Sequence, residues 1–134
     1  MKEKSILIVE DEMIVAMMIK LKLLEMGYKI AEYAVSGEQA LIMVNKKVPD
    51  LVIMDIHLKG KLDGIETATE MESRYSIPII FLTGDSFNEK TARSSFANRA
   101  GYLQKPFMEK ELEYAIRSAI HKHIDPARNA VIAN

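Results

Sequence analysis

The sequence has no cysteine among its 134 residues, which excludes a disulfide framework and thiolate metal sites. No stretch approaches the length of a transmembrane helix. The apolar run after Met1-Lys2-Glu3-Lys4 is too short for a signal peptide. The formal net charge is only −1, so nothing draws the whole molecule to nucleic acid or to acidic lipid. We therefore expect a cytoplasmic protein that contacts neither nucleic acid nor membrane directly.

A glycine-rich phosphate loop is also missing, which argues against a nucleotide-binding protein. Hydrophobic residues make up 49% of the chain and charged residues 28%, a composition typical of a globular protein. The length suits one domain with one core. We predict that residues 1–122 form this domain and that 123–134, which contain Pro126 and no clear pattern, form a tail.

Strand-like and helix-like segments alternate along the chain. The predicted strands cover 5–9, 29–34, 51–54, 77–82 and 101–104. The predicted helices cover 12–26, a segment capped by Ser36, 65–75, 88–98 and 107–121. Gly27 stands where a helix C-cap belongs. Five consecutive βα units predict an α/β fold with a parallel sheet and helices on both faces.

The first predicted helix is rich in apolar residues at helical spacing: Ile14, Met17, Met18, Leu21 and Leu24. Four of the nine methionines, Met13, Met17, Met18 and Met26, lie in or at the end of this helix. We interpret these methionines as flexible core filling rather than as a copper site or a surface that binds varied peptides.

Polar residues follow four of the predicted strands. Glu10-Asp11-Glu12 follow the first, Asp55 the third, Thr83-Gly84 the fourth and Lys105-Pro106 the fifth. Each group alone has an ordinary explanation, such as acids favoured at a helix N-terminus or residues in a turn. Together they lie at the carboxyl ends of parallel strands, where α/β sheets bind ligands.

A joint site of this composition suits phosphoryl chemistry. Clustered carboxylates repel one another, and a hard divalent cation removes that repulsion. Mg²⁺ takes few protein carboxylates and keeps several waters, which leaves room for a phosphate. Asp55 would then be the nucleophile that forms an acyl phosphate. The metal, Lys105 and the Thr83 hydroxyl would stabilise charge on the transferring group.

The ordered set of motifs resembles the receiver domain of two-component response regulators, from about Lys4 to His121. The resemblance rests on Ile-Leu-Ile-Val-Glu-Asp-Glu at 6–12, Asp-Leu-Val-Ile-Met-Asp-Ile at 50–56, Asp-Gly-Ile-Glu at 63–66, Ile-Pro-Ile-Ile-Phe-Leu-Thr-Gly at 77–84 and Gly-Tyr-Leu-Gln-Lys-Pro-Phe at 101–107. It implies a single doubly wound (βα)5 flavodoxin-like domain with sheet order 2-1-3-4-5 and a cis Lys-Pro bond.

The resemblance also implies roles for the acids. Asp55 would take a phosphoryl group from the phosphohistidine of a sensor histidine kinase or a histidine phosphotransfer protein. Asp11 and Asp55 would bind Mg²⁺ directly, and Glu10 would bind it mainly through water. Mn²⁺ could take the place of Mg²⁺. The backbone carbonyl of His57 would complete the metal shell. Such a domain catalyses only its own phosphorylation and dephosphorylation.

Further roles concern the output of the signal. Thr83 and Tyr102 match a switch pair, and Lys105 matches a phosphate-contacting lysine. Phosphorylation would draw Thr83 and Tyr102 inward and alter the face made by the fourth predicted helix, the fifth strand and the fifth predicted helix. A downstream protein or a second copy of the chain would bind this face.

Three departures from the family pattern stand out. Glu10 replaces a frequent aspartate, and Gly84 replaces a frequent alanine. The loop at 58–62 lacks the usual proline and is one residue longer than in many members, which leaves its shape open.

The remaining polar candidates have two readings each. His57 and Asp85 either tune the lifetime of the acyl phosphate or are simply solvated. His121 and His123 are two residues apart, do not share a helix face and are interpreted as a solvated helix end.

Two other functions are weighed against the receiver. A phosphatase of the haloacid dehalogenase class also uses a strand-end aspartate, but that class has a second aspartate where His57 stands and usually carries a cap domain. A receiver-like interaction module that no longer accepts phosphate typically loses an acid, the threonine or the lysine, and all are present here. No output domain is recognisable, so we expect a stand-alone receiver, a phosphorelay shuttle or a receiver from a longer regulator or hybrid kinase.

Overall fold

The computed structural model of the protein describes residues 3–84 and 101–123. In chain order these contain β1 (Ser5–Val9), α1 (Met13–Glu25), β2 (Ile30–Ala34), α2 (Gly37–Lys46), β3 (Leu51–Asp55), α3 (Gly64–Glu72), β4 (Ile79–Thr83), β5 (Gly101–Gln104) and a C-terminal helix (Glu109–His123). The helix predicted at 88–98, Asp85 and the tail from 124 lie outside the described residues. Among the helices in these ranges, none combines the length and the apolar composition needed to cross a bilayer.

The five strands form one parallel sheet in the order β2-β1-β3-β4-β5, which confirms the predicted topology. Val9 pairs with Met54, and Asp55 pairs with Leu82. Thr83, the last residue of β4, pairs with Gln104, the last of β5. The strands therefore end at one common edge, and the polar residues that follow them meet there.

The core has two layers, one on each face of the sheet, because side chains along a strand alternate between the faces. One layer packs α2 and α3 against residues such as Val52, Met54 and Phe81. The other packs α1 and the C-terminal helix against residues such as Ile53 and Ile80. Every residue of β3 and β4 is buried, as expected for central parallel strands.

The helix ends follow the predicted capping residues. Gly27 has a φ of 98° after α1, and the Tyr28 N–H donates to the Leu23 carbonyl, which makes a Schellman ending. The Ser36 hydroxyl accepts a hydrogen bond from the Gln39 N–H at the start of α2. α3 begins with a reciprocal capping box between Asp63 and Glu66.

The first helix is present as predicted, but our interpretation of its methionines is wrong. Six large apolar residues of α1 are 40–76% exposed, and we call them the α1 apolar face: Met13, Ile14, Met17, Met18, Leu21 and Leu24. The buried side of α1 consists instead of Ala16, Ile19 and Leu23, with Met26 half-buried just beyond the helix. Because α1 is apolar on nearly all sides, its spacing predicts a helix without indicating which side faces the sheet.

Candidate metal and phosphoryl site

Three carboxylates meet at the common edge of the sheet. Glu10, Asp11 and Asp55 each place an oxygen within 4.8 Å of the others, the one such acidic group found in the described ranges. Glu10 is fully buried and Asp55 is 5% exposed, whereas Asp11 is half-buried. Glu10 is fixed just beyond β1 because its N–H donates to the Ala34 carbonyl at 3.0 Å. The structure thus brings together the acids that the sequence analysis selected.

Lys105 supplies the positive charge at this cluster. Its Nζ lies 2.9 Å from Glu10 Oε1 and 3.6 Å from Asp55 Oδ2. The Lys105 N–H donates a 2.8 Å hydrogen bond to the Thr83 carbonyl, and the bond from Lys105 to Pro106 is cis, as the resemblance implies. Burial disfavours the ammonium, but the hydrogen bond with Glu10 and the charges of both acids outweigh it and raise the pKa of Lys105.

Glu10 is the acid most affected by its surroundings. Burial, together with the nearby Asp55, raises the pKa of Glu10 to about 7, although Lys105 opposes the shift. Its Oε2 atom is buried and has no hydrogen-bond partner among the described residues. A buried carboxylate oxygen without a partner, beside two further acids, fits a divalent cation that takes oxygen ligands.

The loop after β3 contacts two of the acids through its backbone. The His57 N–H donates to Asp55 Oδ1 at 3.0 Å, and the Lys59 N–H donates to Asp11 Oδ2 at 2.9 Å. The His57 residue is exposed, so its backbone is the part of the residue that reaches the site. The ligand role predicted for its carbonyl stays a prediction.

The predicted switch residues occupy neighbouring positions. Thr83 ends β4 beside the site and is 7% exposed. Tyr102, on β5, stacks on Phe81 with ring centroids 5.7 Å apart, and its hydroxyl is buried. Burial also raises the pKa of Tyr102. Tyr102 is half-buried and packs against the core, and its inward rotation on phosphorylation stays a prediction.

Gly64 is a site residue whose role the sequence analysis missed. A Cβ atom at Gly64 would lie 2.1 Å from the Asp55 carbonyl oxygen and 2.8 Å from Ile56 Cα. The start of α3 therefore packs directly on the backbone that presents Asp55. An Asp-Gly pair at a helix N-terminus was visible in the sequence, but only the fold shows what the glycine approaches.

Residues 6–117 match the response regulator receiver domain family. Transcriptional regulatory protein PdtaR of Mycobacterium tuberculosis is 36% identical over 119 residues, which cover 89% of this chain and 58% of that protein. Probable transcriptional regulator ycf27 of Cyanophora paradoxa is 34% identical, covering 98% of this chain and 54% of that protein. The chain thus spans little more than half the length of these curated relatives.

A solved structure gives the same result. The signal receiver domain of a modulated diguanylate cyclase from Desulfovibrio desulfuricans G20 is 36% identical with a TM-score of 0.81, covering 90% of this chain and 95% of that one. The chain belongs to the response regulator receiver domain family and is a signalling domain of the two-component type. These matches support the receiver reading rather than a phosphatase of the haloacid dehalogenase class.

Proposed function

We propose that Asp55 accepts a phosphoryl group from the phosphohistidine of a sensor histidine kinase or a histidine phosphotransfer protein. The observation that carries this proposal is the cluster of Glu10, Asp11 and Asp55 at the end of β3, with Lys105 within 3.6 Å of the Asp55 carboxylate. A carboxylate nucleophile, two neighbouring acids and a lysine ammonium gathered in one partly buried site suit phosphoryl transfer.

Transfer would proceed by attack of an Asp55 carboxylate oxygen on phosphorus. The phosphorus–nitrogen bond to the donor imidazole breaks, and an acyl phosphate forms on Asp55. Lys105 would move its ammonium from Glu10 to a phosphoryl oxygen, a short displacement because it already lies near Asp55. The buried Thr83 hydroxyl would donate to another phosphoryl oxygen.

Glu10, Asp11, Asp55 and the His57 carbonyl would hold Mg²⁺, and Mn²⁺ suits the same oxygen donors. The cation supplies positive charge that neutralises the clustered acids and the phosphoryl oxygens. Hydrolysis of the acyl phosphate by water would return the domain to its starting state. Catalysis by this chain is thereby confined to its own phosphorylation and dephosphorylation.

The α1 apolar face supports a protein as phosphoryl donor. α1 begins at Met13, two residues after Asp11, so the near end of this face adjoins the acid cluster. A patch of six exposed large apolar residues is typical of a protein interaction surface. A donor protein that packs an apolar helix against it would hold its phosphohistidine beside Asp55.

Output would pass through β5, the C-terminal helix and the predicted helix at 88–98. We propose that a downstream protein or a second copy of the chain binds there. The curated relatives extend well beyond the length of this chain, so their printed roles as transcriptional regulators suggest one kind of output.

Acetyl phosphate with Mg²⁺ tests the phosphoacceptor assignment, with intact mass as the readout. We expect the wild type and Asp50→Asn, a matched change at the opposite end of β3, to gain one phosphoryl group. Asp55→Asn should gain none. An equal gain in Asp55→Asn would show that the assignment is wrong.

A further inference from the structure

The loop between β3 and α3, residues 56–63, is the part of the site whose shape the sequence left open. It closes on itself through a 3.0 Å hydrogen bond from the Gly64 N–H to the Ile56 carbonyl. Leu58 is 6% exposed and belongs to the core. The loop is therefore an ordered part of the structure, anchored from within by two buried core side chains, those of Ile56 and Leu58.

The part of the loop next to the acid cluster is held by two of the clustered carboxylates. The N–H groups of His57 and Lys59 donate to Asp55 and Asp11, at 3.0 and 2.9 Å. The two N–H donors belong to residues that are two positions apart. The backbone conformation of residues 57–59 therefore decides whether both can reach their acids at the same time. A change in that shape would move the oxygens of two of the three clustered carboxylates.

The end of the loop away from the acid cluster is held by a carboxylate of α2. The Leu62 N–H donates to Glu38 Oε1 at 3.0 Å in a part-buried position. Between these two anchors the chain turns at Gly60, which has a φ of 110°, and a Cβ atom built there would lie 3.8 Å from Glu38 Oε2. A φ in this region favours glycine, so the turn itself is also specified.

Glu38 is well suited to hold the loop because its own helix is fixed. It lies in the first turn of α2, where the helix dipole favours an acid. A Cβ atom on the preceding Gly37 would lie 2.1 Å from Thr67 Oγ1 and 3.2 Å from Leu62 Cβ. The start of α2 is thus packed closely against both α3 and the loop.

We propose that Glu38 is a positioning residue for the phosphoryl site. By holding the Leu62 N–H, it keeps the loop in the shape that lets His57 and Lys59 hold Asp55 and Asp11. Glu38 touches no reacting atom, and its effect reaches the site only through the loop backbone. The consequence for metal and phosphoryl binding rests on the proposed function, whereas the effect on the loop does not.

Amide hydrogen exchange followed by NMR in metal-free protein tests the effect on the loop. In Glu38→Ala we expect the Leu62 and Lys59 amides to exchange about tenfold faster, the change that follows loss of a hydrogen bond to a charged group. Glu38→Gln keeps an oxygen acceptor and should stay within about twofold of wild type. Glu70→Ala, which removes an exposed acid from α3, should not change the loop amides.

A Mn²⁺ titration then tests the effect on the site. Glu38→Ala should weaken binding about threefold or more, and Glu38→Gln should bind like wild type. Should Glu38→Ala fail to fold, Gly60→Ala perturbs the same turn and should raise the exchange rate of the Lys59 amide and weaken Mn²⁺ binding.

Two outcomes would overturn the positioning role. Wild-type exchange rates at Leu62 and Lys59 in Glu38→Ala would show that the contact does not hold the loop. Equal losses in Glu38→Gln and Glu38→Ala would show that the charge acts, not the hydrogen bond. If Asp11→Asn binds Mn²⁺ as tightly as wild type, the proposed metal site is wrong. The exchange rates in metal-free protein then still decide whether Glu38 holds the loop.

Discussion

Buried Glu10 makes the stability of the metal-free protein fall as pH rises through the neutral range. Its pKa rises from an ordinary value of 4.5 to about 7 on folding, chiefly because burial disfavours the carboxylate. Between these two values the folded state binds more protons than the unfolded state. The free energy of unfolding therefore decreases with rising pH across this window, and the dependence ends above pH 7.

The size of the effect follows from the shift. One pKa unit corresponds to about 1.36 kcal/mol, so charging Glu10 lowers the free energy of unfolding by about 3 kcal/mol over the window. Glu10→Gln carries no titrating proton and should lack this contribution. The neutral amide can still accept a hydrogen bond from Lys105, so the variant should fold.

Urea unfolding in EDTA at pH 5, 6 and 7.5 measures the effect as the difference between wild type and Glu10→Gln. The wild type should lose about 2–3 kcal/mol more than the variant between the extremes. A bound cation should also compete with the proton, so that Mn²⁺ affinity of the wild type falls about fivefold from pH 7 to pH 6. Parallel pH profiles for the two proteins would refute the reasoning.

Three further predictions address the elements around the site. Gly64→Ala should lower the free energy of unfolding by about 1–3 kcal/mol and slow phosphorylation by acetyl phosphate, because its Cβ would press on the Asp55 backbone. An unchanged urea midpoint and an unchanged phosphorylation rate would contradict this contact. Lys105→Ala should stay folded by circular dichroism yet lose its spectral response to beryllofluoride, since the lysine binds the phosphoryl oxygens, and a full response would exclude that role. Beryllofluoride with Mg²⁺ should change hydrogen exchange at residues 83–103 and at the start of the C-terminal helix more than in α1 or α2. Changes spread evenly over the protein would show that the output face lies elsewhere.

The sheet and the site were predictable because their signals are local and repeated. Four apolar runs each end in polar residues, and parallel strands carry those residues to one edge. The caps at Gly27 and Ser36 were likewise readable from single residues.

Features that depend on contacts between distant segments could not be predicted in this way. The orientation of α1 was one, because Met17 and Met18 match a helical pattern as well as the buried Ile19 does. The contact of Gly64 with the Asp55 backbone and that of Glu38 with the Leu62 N–H were others. Each joins segments whose distance is set by the packing of complete helices, which spacing along the chain does not encode.

The most direct test of the central claim is to locate the acyl phosphate chemically. Borohydride reduces an aspartyl phosphate to homoserine, which peptide mass spectrometry can assign to one position. After treatment with acetyl phosphate and Mg²⁺, we predict homoserine at position 55 and at no other aspartate. Homoserine at Asp11, Asp50 or Asp63 in place of Asp55, or at no position in protein that has gained a phosphoryl group, would contradict the account.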